Sequence, residues 1–93
     1  MTKKEVTSVV KYIFDEVGAS QLIKDFVRPA HNKWAKWASI SENGDVEVWS
    51  DKPYPDDMQH ICDAIGLIRE DVGKANTDVS QAWEGLVIKI SKL

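Results

Sequence analysis

Apolar residues recur along the first seventeen positions at the spacing of one helix face. Val6, Val9, Val10, Ile13, Phe14 and Val17 fall at i, i+3, i+4, i+7, i+8 and i+11. A 3.6-residue period places them together and predicts an amphipathic helix over residues 3–17. Thr2 and Glu5 supply a T-x-x-E capping box, and Gly18 supplies the left-handed position that closes a helix. A shorter stripe of Leu22, Ile23, Phe26 and Val27 predicts a second helix over residues 20–28, capped by Ser20. Pro29 ends it, because the residue before a proline is pushed out of the α region.

The period then changes to two. Residues 34–52 alternate around Ser41-Glu42-Asn43-Gly44-Asp45 and predict a β-hairpin. Two loops compete. A two-residue Asn-Gly loop pairs Glu42 with Asp45 and Ile40 with Glu47, which puts like charges opposite each other and mixes the faces. A three-residue loop closed by Gly44 in a G1 bulge pairs Ser41 with Asp45 instead. Ala38, Ile40, Val46 and Val48 then share one face, and Trp37 opposes Trp49 on the other. A one-residue slip would scramble both faces, so the binary pattern selects the G1 loop.

Lys52-Pro53-Tyr54-Pro55 reads as a loop, since prolines so close together cannot continue a ladder. Met58, Ile61, Cys62, Ile65 and Ile68 form a third helical stripe. They predict a helix over residues 56–72, opened by Asp56 and Gln59 and ended by Gly73. Gly66 lies off that stripe, where glycine costs up to ~1 kcal/mol relative to alanine. Residues 74–82 are polar and read as a loop, with a helical turn near residues 78–83. Leu86, Ile88 and Ile90 alternate with Val87 and Lys89, predicting a last strand over 85–91 that docks beside the hairpin. The expected fold is therefore α+β, in the order α-α-β-β-α-β. A three-stranded antiparallel sheet carries helices 3–17 and 56–72 on one face.

Composition narrows the function classes. A chain of 93 residues makes one domain. No apolar run is long enough to span a membrane, and no apolar segment follows Met1-Thr2-Lys3-Lys4 as in a secretory signal. The lone Cys62 permits no internal disulfide. The expected location is the cytoplasm. Net charge is −3, but it is divided unevenly: residues 1–41 hold seven basic and four acidic side chains, residues 42–93 five and eleven. Such a division marks either a partner-facing pole or two halves that neutralise each other.

Candidate chemistry is sparse. Asp56, His60 and Asp63 fall at i, i+4 and i+7 on one helical face, beside Asp57, and could hold a divalent metal or orient a base. The simpler reading makes Asp56 and Asp57 helix-capping acids and leaves His60 and Asp63 on a solvated side. Cys62 lies on the apolar stripe, where free cysteine behaves as a small hydrophobe. His31 reads as a surface histidine in a polar connector. No cofactor, metal or catalytic activity is expected.

The four tryptophans stand out. Trp34, Trp37, Trp49 and Trp83 all lie in or beside the expected sheet. Packed within the fold or a homodimer, Trp37 and Trp49 stabilise the hairpin. Left open, they form an aromatic binding patch. Lys36, Trp37, Glu47, Trp49 and Val87 are the expected partner-binding residues. Lys33, Trp34, Lys36 and Trp37 also interleave basic and aromatic side chains, as single-strand binders do. Glu42, Asp45, Glu47 and Asp51 on the same hairpin argue against a phosphate backbone.

The run from Trp37 through Asn43-Gly44 to Trp49-Ser50-Asp51-Lys52-Pro53 resembles a hairpin segment of small phage and prophage proteins. The resemblance covers about a fifth of the chain. It implies an accessory protein that works by covering a surface of a host factor or immune complex, as anti-defence proteins such as anti-CRISPR inhibitors do. The combined expectation is a non-enzymatic protein-binding module, with single-stranded nucleic-acid or nucleotide binding as the alternative.

Overall fold

The computed structural model describes residues 2–41, 43–53, 66–76 and 86–93. Helix α1 spans Lys3–Glu16, and the Thr2 hydroxyl accepts the Glu5 N–H at 3.2 Å. The backbone turns at Gly18, whose φ of +80° is the left-handed geometry expected there, and enters helix α2, Ala19–Val27. Gly18, rather than Ser20, is the N-cap of α2. Ser20 lies inside the first turn and donates its hydroxyl to Asp15 at 2.5 Å, tying the two helices together. Pro29 leads from α2 into a short 3-10 turn, Ala30–Asn32.

Strands β1 (Trp37–Ile40) and β2 (Asp45–Trp49) form the hairpin in the G1 register. Trp37 opposes Trp49, Ala38 opposes Val48, Ser39 opposes Glu47 and Ile40 opposes Val46. The Gly44 N–H donates to the Ser41 carbonyl, and the Ser41 N–H donates to the Asp45 carbonyl, both at 2.9 Å. Gly44 adopts φ +83°, which the bulge requires and which an L side chain resists.

The sheet differs from expectation in strand number and order. Among the described residues it has four strands, β3-β2-β1-β4, with every neighbouring pair antiparallel. Strand β4 (Leu86–Lys89) docks beside β1 as expected, placing Ile88 opposite Ala38 and Leu86 opposite Ile40. A closing 3-10 turn, Ile90–Lys92, takes the place of the strand's expected end.

The additional strand, β3 (Arg69–Lys74), pairs with β2 and falls where the helix over 56–72 was expected to end. Residues 54–65 lie outside the described residues. From residue 66 onward the helix reading is wrong. Gly66 adopts φ +77°, outside the right-handed helical region. Ile68, the last member of the apolar stripe, is half exposed rather than packed. Strand β3 carries five polar or glycine positions around Val72, so neither period is visible in it. Charged side chains on an edge strand block unwanted pairing. Between Val46–Gly73 and Glu47–Asp71 the register shifts. Gly73 thus sits inside a strand instead of ending a helix. A Cβ there would stand 3.1 Å from Leu22, so α2 approaches β3 closely at this glycine.

Both described helices pack on one face of the sheet, α1 over β4 and α2 over β2 and β3. Phe14, Val17 and Ile23 from the helices meet Ala38, Ile40, Val46, Val48 and Ile88 from the sheet. At roughly 1.5–3 kcal/mol per buried large apolar side chain, this layer dominates stability. The Asn76 N–H donates to the Val17 carbonyl at 2.9 Å, and the Ala75 N–H to the Gly44 carbonyl at 2.8 Å. The end of β3 is thereby fastened to both the helix junction and the hairpin turn.

Candidate binding surface

The opposite face of the sheet holds the two paired tryptophans, and they have different environments. Trp49 is buried, at 2% exposure. Its indole Nε1 donates to the Ser39 hydroxyl at 2.8 Å, and the Arg69 guanidinium stands 5.4 Å from its ring centre. Trp37 is half-buried. The ammonium groups of Lys52 and Lys89 stand 5.6 and 5.7 Å from its ring centre. The register explains Lys89, which sits directly opposite Trp37 across the β1–β4 ladder. Cation–π attraction of this kind favours the lysines over the indole.

Trp37 also lines two open clefts. The first, about 810 Å³, lies between α1 and β4. Val6, Val10, Val87 and Ile88 supply its apolar surface, and Lys11, Lys52, Lys89 and Lys92 its charge. The second, about 790 Å³, runs past Ala35 and Ile90 and is bordered by Lys33, Lys36 and Lys89. Asp51 is the acid that lines it. Among the described residues six basic side chains therefore border these clefts, against one acid. The described lining is locally positive although the chain is net negative.

Two acids of the hairpin, Asp45 and Glu47, are directed elsewhere. Asp45 pairs with Lys74, and Glu47 with Arg69 at 3.5 Å, both across the β2–β3 ladder. The Asp45 contact raises the Lys74 ammonium above its ordinary value. On α1, Asp15 accepts from Lys11 at 2.7 Å. That hydrogen bond, with the Ser20 hydroxyl behind it, holds the Asp15 carboxyl below its ordinary value.

The expected site residues thus separate. Lys36 and Trp37 border the clefts, and Val87 borders the first. Glu47 belongs to the β2–β3 side with Arg69. Trp49 is too deeply buried to touch a partner, and its contribution is to hold the sheet. The expected Lys33-to-Trp37 segment is also divided. Trp34 packs edge-on against Phe26, ring centres 6.0 Å apart, beside the helix-side core. Of its two tryptophans only Trp37 faces the clefts, while Lys33 and Lys36 border the second. Lys11, Lys52, Lys89, Lys92 and Val6 were not foreseen. The alternation of Val87 and Lys89 with Leu86, Ile88 and Ile90 was the available signal, and it became specific only once Lys89 was placed opposite Trp37.

Asp56, Asp57, His60, Cys62, Asp63 and Trp83 lie outside the described residues. Among the described residues no cluster of three or more His, Cys, Asp or Glu could hold a metal ion. No described helix is long and apolar enough to cross a membrane. No family model, curated protein or solved structure matches the chain significantly.

Proposed function

We propose that this chain is a non-enzymatic protein-binding module that engages its partner through the lysine-bordered surface around Trp37. The observation that carries the reading is the position of Trp37, half-buried beneath Lys52 and Lys89 where the two clefts meet. A partly exposed tryptophan offers a large apolar contact at small entropic cost and is enriched among interface hot spots, while flanking charges steer a complementary partner. A small cytoplasmic phage-type accessory or anti-defence inhibitor, acting by covering a host surface, is the finer form of this reading. It rests on the hairpin resemblance.

Single-stranded nucleic-acid binding is the second reading, and the same lysines favour it. The division of Trp34 from Trp37 weakens it, since one outward indole remains of the expected pair. The two ammonium groups over the Trp37 ring also compete with a stacking base.

The test is affinity capture from lysate with wild-type protein and with the Lys52→Glu/Lys89→Glu variant, each checked by urea unfolding. A specific protein retained by the wild type and lost from the folded variant supports the reading. Equal retention by both removes it. Retention abolished by nuclease treatment, with steep salt dependence, moves the conclusion to nucleic acid.

A further inference from the structure

The cleft between α1 and β4 supports a narrower assignment, which rests on the protein-binding reading above. The apolar stripe of α1 is longer than its cover. Phe14 and Val17 at its C-terminal end are 0% and 3% exposed, whereas Val6 and Val9 near its start are 46% and 48% exposed. Val6 and Val10 open onto the cleft, where Val87 and Ile88 continue the apolar surface across to β4. Lys52, Lys89 and Lys92 line the same cleft, and among the described residues no acidic side chain lines it. Lys11, also on its border, is paired with Asp15.

We infer that this cleft receives an acidic amphipathic segment of the partner protein. Its aliphatic side chains lie on Val6, Val10 and Val87, and its carboxylates meet Lys52, Lys89 and Lys92. Charge complementarity selects this occupant. A cleft whose described lining holds cations and no acid disfavours a basic segment and favours carboxylates, even on a chain of net negative charge. The apolar surface is aliphatic apart from Trp37, and the Trp37 ring already carries two ammonium groups. Aliphatic side chains fit that surface without displacing them, whereas a stacked base would have to displace them. An amphipathic helix laid in a groove uses i, i+3, i+4 and i+7 anchors in this way.

The probe is a synthetic peptide of about 16 residues with Leu at those anchor spacings and Glu at the remaining positions. Its partners in the experiment are the same peptide with Lys in place of Glu, and an oligothymidylate strand. Binding is followed by amide and indole shifts of the full chain in ¹⁵N-correlation spectra. The Leu/Glu peptide is expected to shift the amides of Val10, Val87 and Lys89 and the Trp37 indole, with the Lys peptide inert. The Lys52→Glu/Lys89→Glu variant should weaken binding by about tenfold or more. Val6→Glu, an exposed change in the first turn of α1, should weaken it while leaving the spectrum of the free protein folded. Absence of shifts at the cleft, equal affinity in the variants, or preferential binding of oligothymidylate there overturns the assignment. If capture of the lysate partner depends on Lys52 and Lys89 but the peptide leaves the cleft unshifted, the protein-binding reading stands and this inference falls. If neither depends on those lysines, both fall.

Discussion

Trp37 and Trp49 are direct cross-strand partners on the same face of the same hairpin, yet one is half-buried and the other is 2% exposed. Their neighbours account for the contrast. Trp49 is on β2, an inner strand flanked by β3, and has Ser39 and Arg69 as polar partners. Trp37 is on β1, also an inner strand but flanked by β4, and has the Lys52 and Lys89 ammonium groups over its ring. The charges follow the same division. On the β2–β3 side carboxylates pair with cations across the ladder, whereas on the β1–β4 side lysines gather without acids of their own strand. A cross-strand pair therefore does not imply a shared role.

Substitution of the two tryptophans should give unequal costs. Trp49→Ala removes a buried aromatic and should destabilise the fold by about 3–5 kcal/mol, read as a lowered urea midpoint. Ser39→Ala leaves the buried indole N–H unpaired and should cost about 1–3 kcal/mol in the same measurement. Trp37→Ala removes a partly exposed cross-strand contact and should cost about 1 kcal/mol, while abolishing capture of the partner. Equal costs for Trp37→Ala and Trp49→Ala would break the comparison.

The smallest effect concerns pH. Lys74, raised above its ordinary 10.5 by Asp45, contributes stability that is fully present below that value. The contribution is lost as pH rises through the higher folded value. The stability difference between wild type and Lys74→Met should hold constant up to about pH 10 and narrow above it. Both groups are solvent-exposed enough that added salt should also reduce it. An unchanged difference at high pH would show that the β2–β3 charge pairing adds nothing to the edge.

Much of the fold was legible locally. Six apolar positions and Thr2 specified α1, and Gly18 its end, because capping and a left-handed glycine act within a few residues. Strand β3 was not legible. Arg69-Glu70-Asp71-Val72-Gly73-Lys74 has one large apolar side chain and no alternation, so it pairs by backbone and cross-strand charge. The stripe through Ile65 and Ile68 made a helix the simpler reading. Of the candidate site, Trp37, Lys36 and Val87 were visible because the hairpin face could be counted out by twos. Lys52, Lys89 and Val6 were not, since they come from three distant segments that meet only in the folded chain.

The hairpin register was determined by sequence alone. Only the G1 loop at Gly44 keeps Ala38, Ile40, Val46 and Val48 on one face, and a one-residue slip would have split them between the two faces. That register also made Trp37 and Trp49 partners. Their divergence was decided by the tertiary structure, because local pattern places a side chain on a face but does not say which strand lies beside it. The order β3-β2-β1-β4 put Arg69 over one indole and Lys89 over the other.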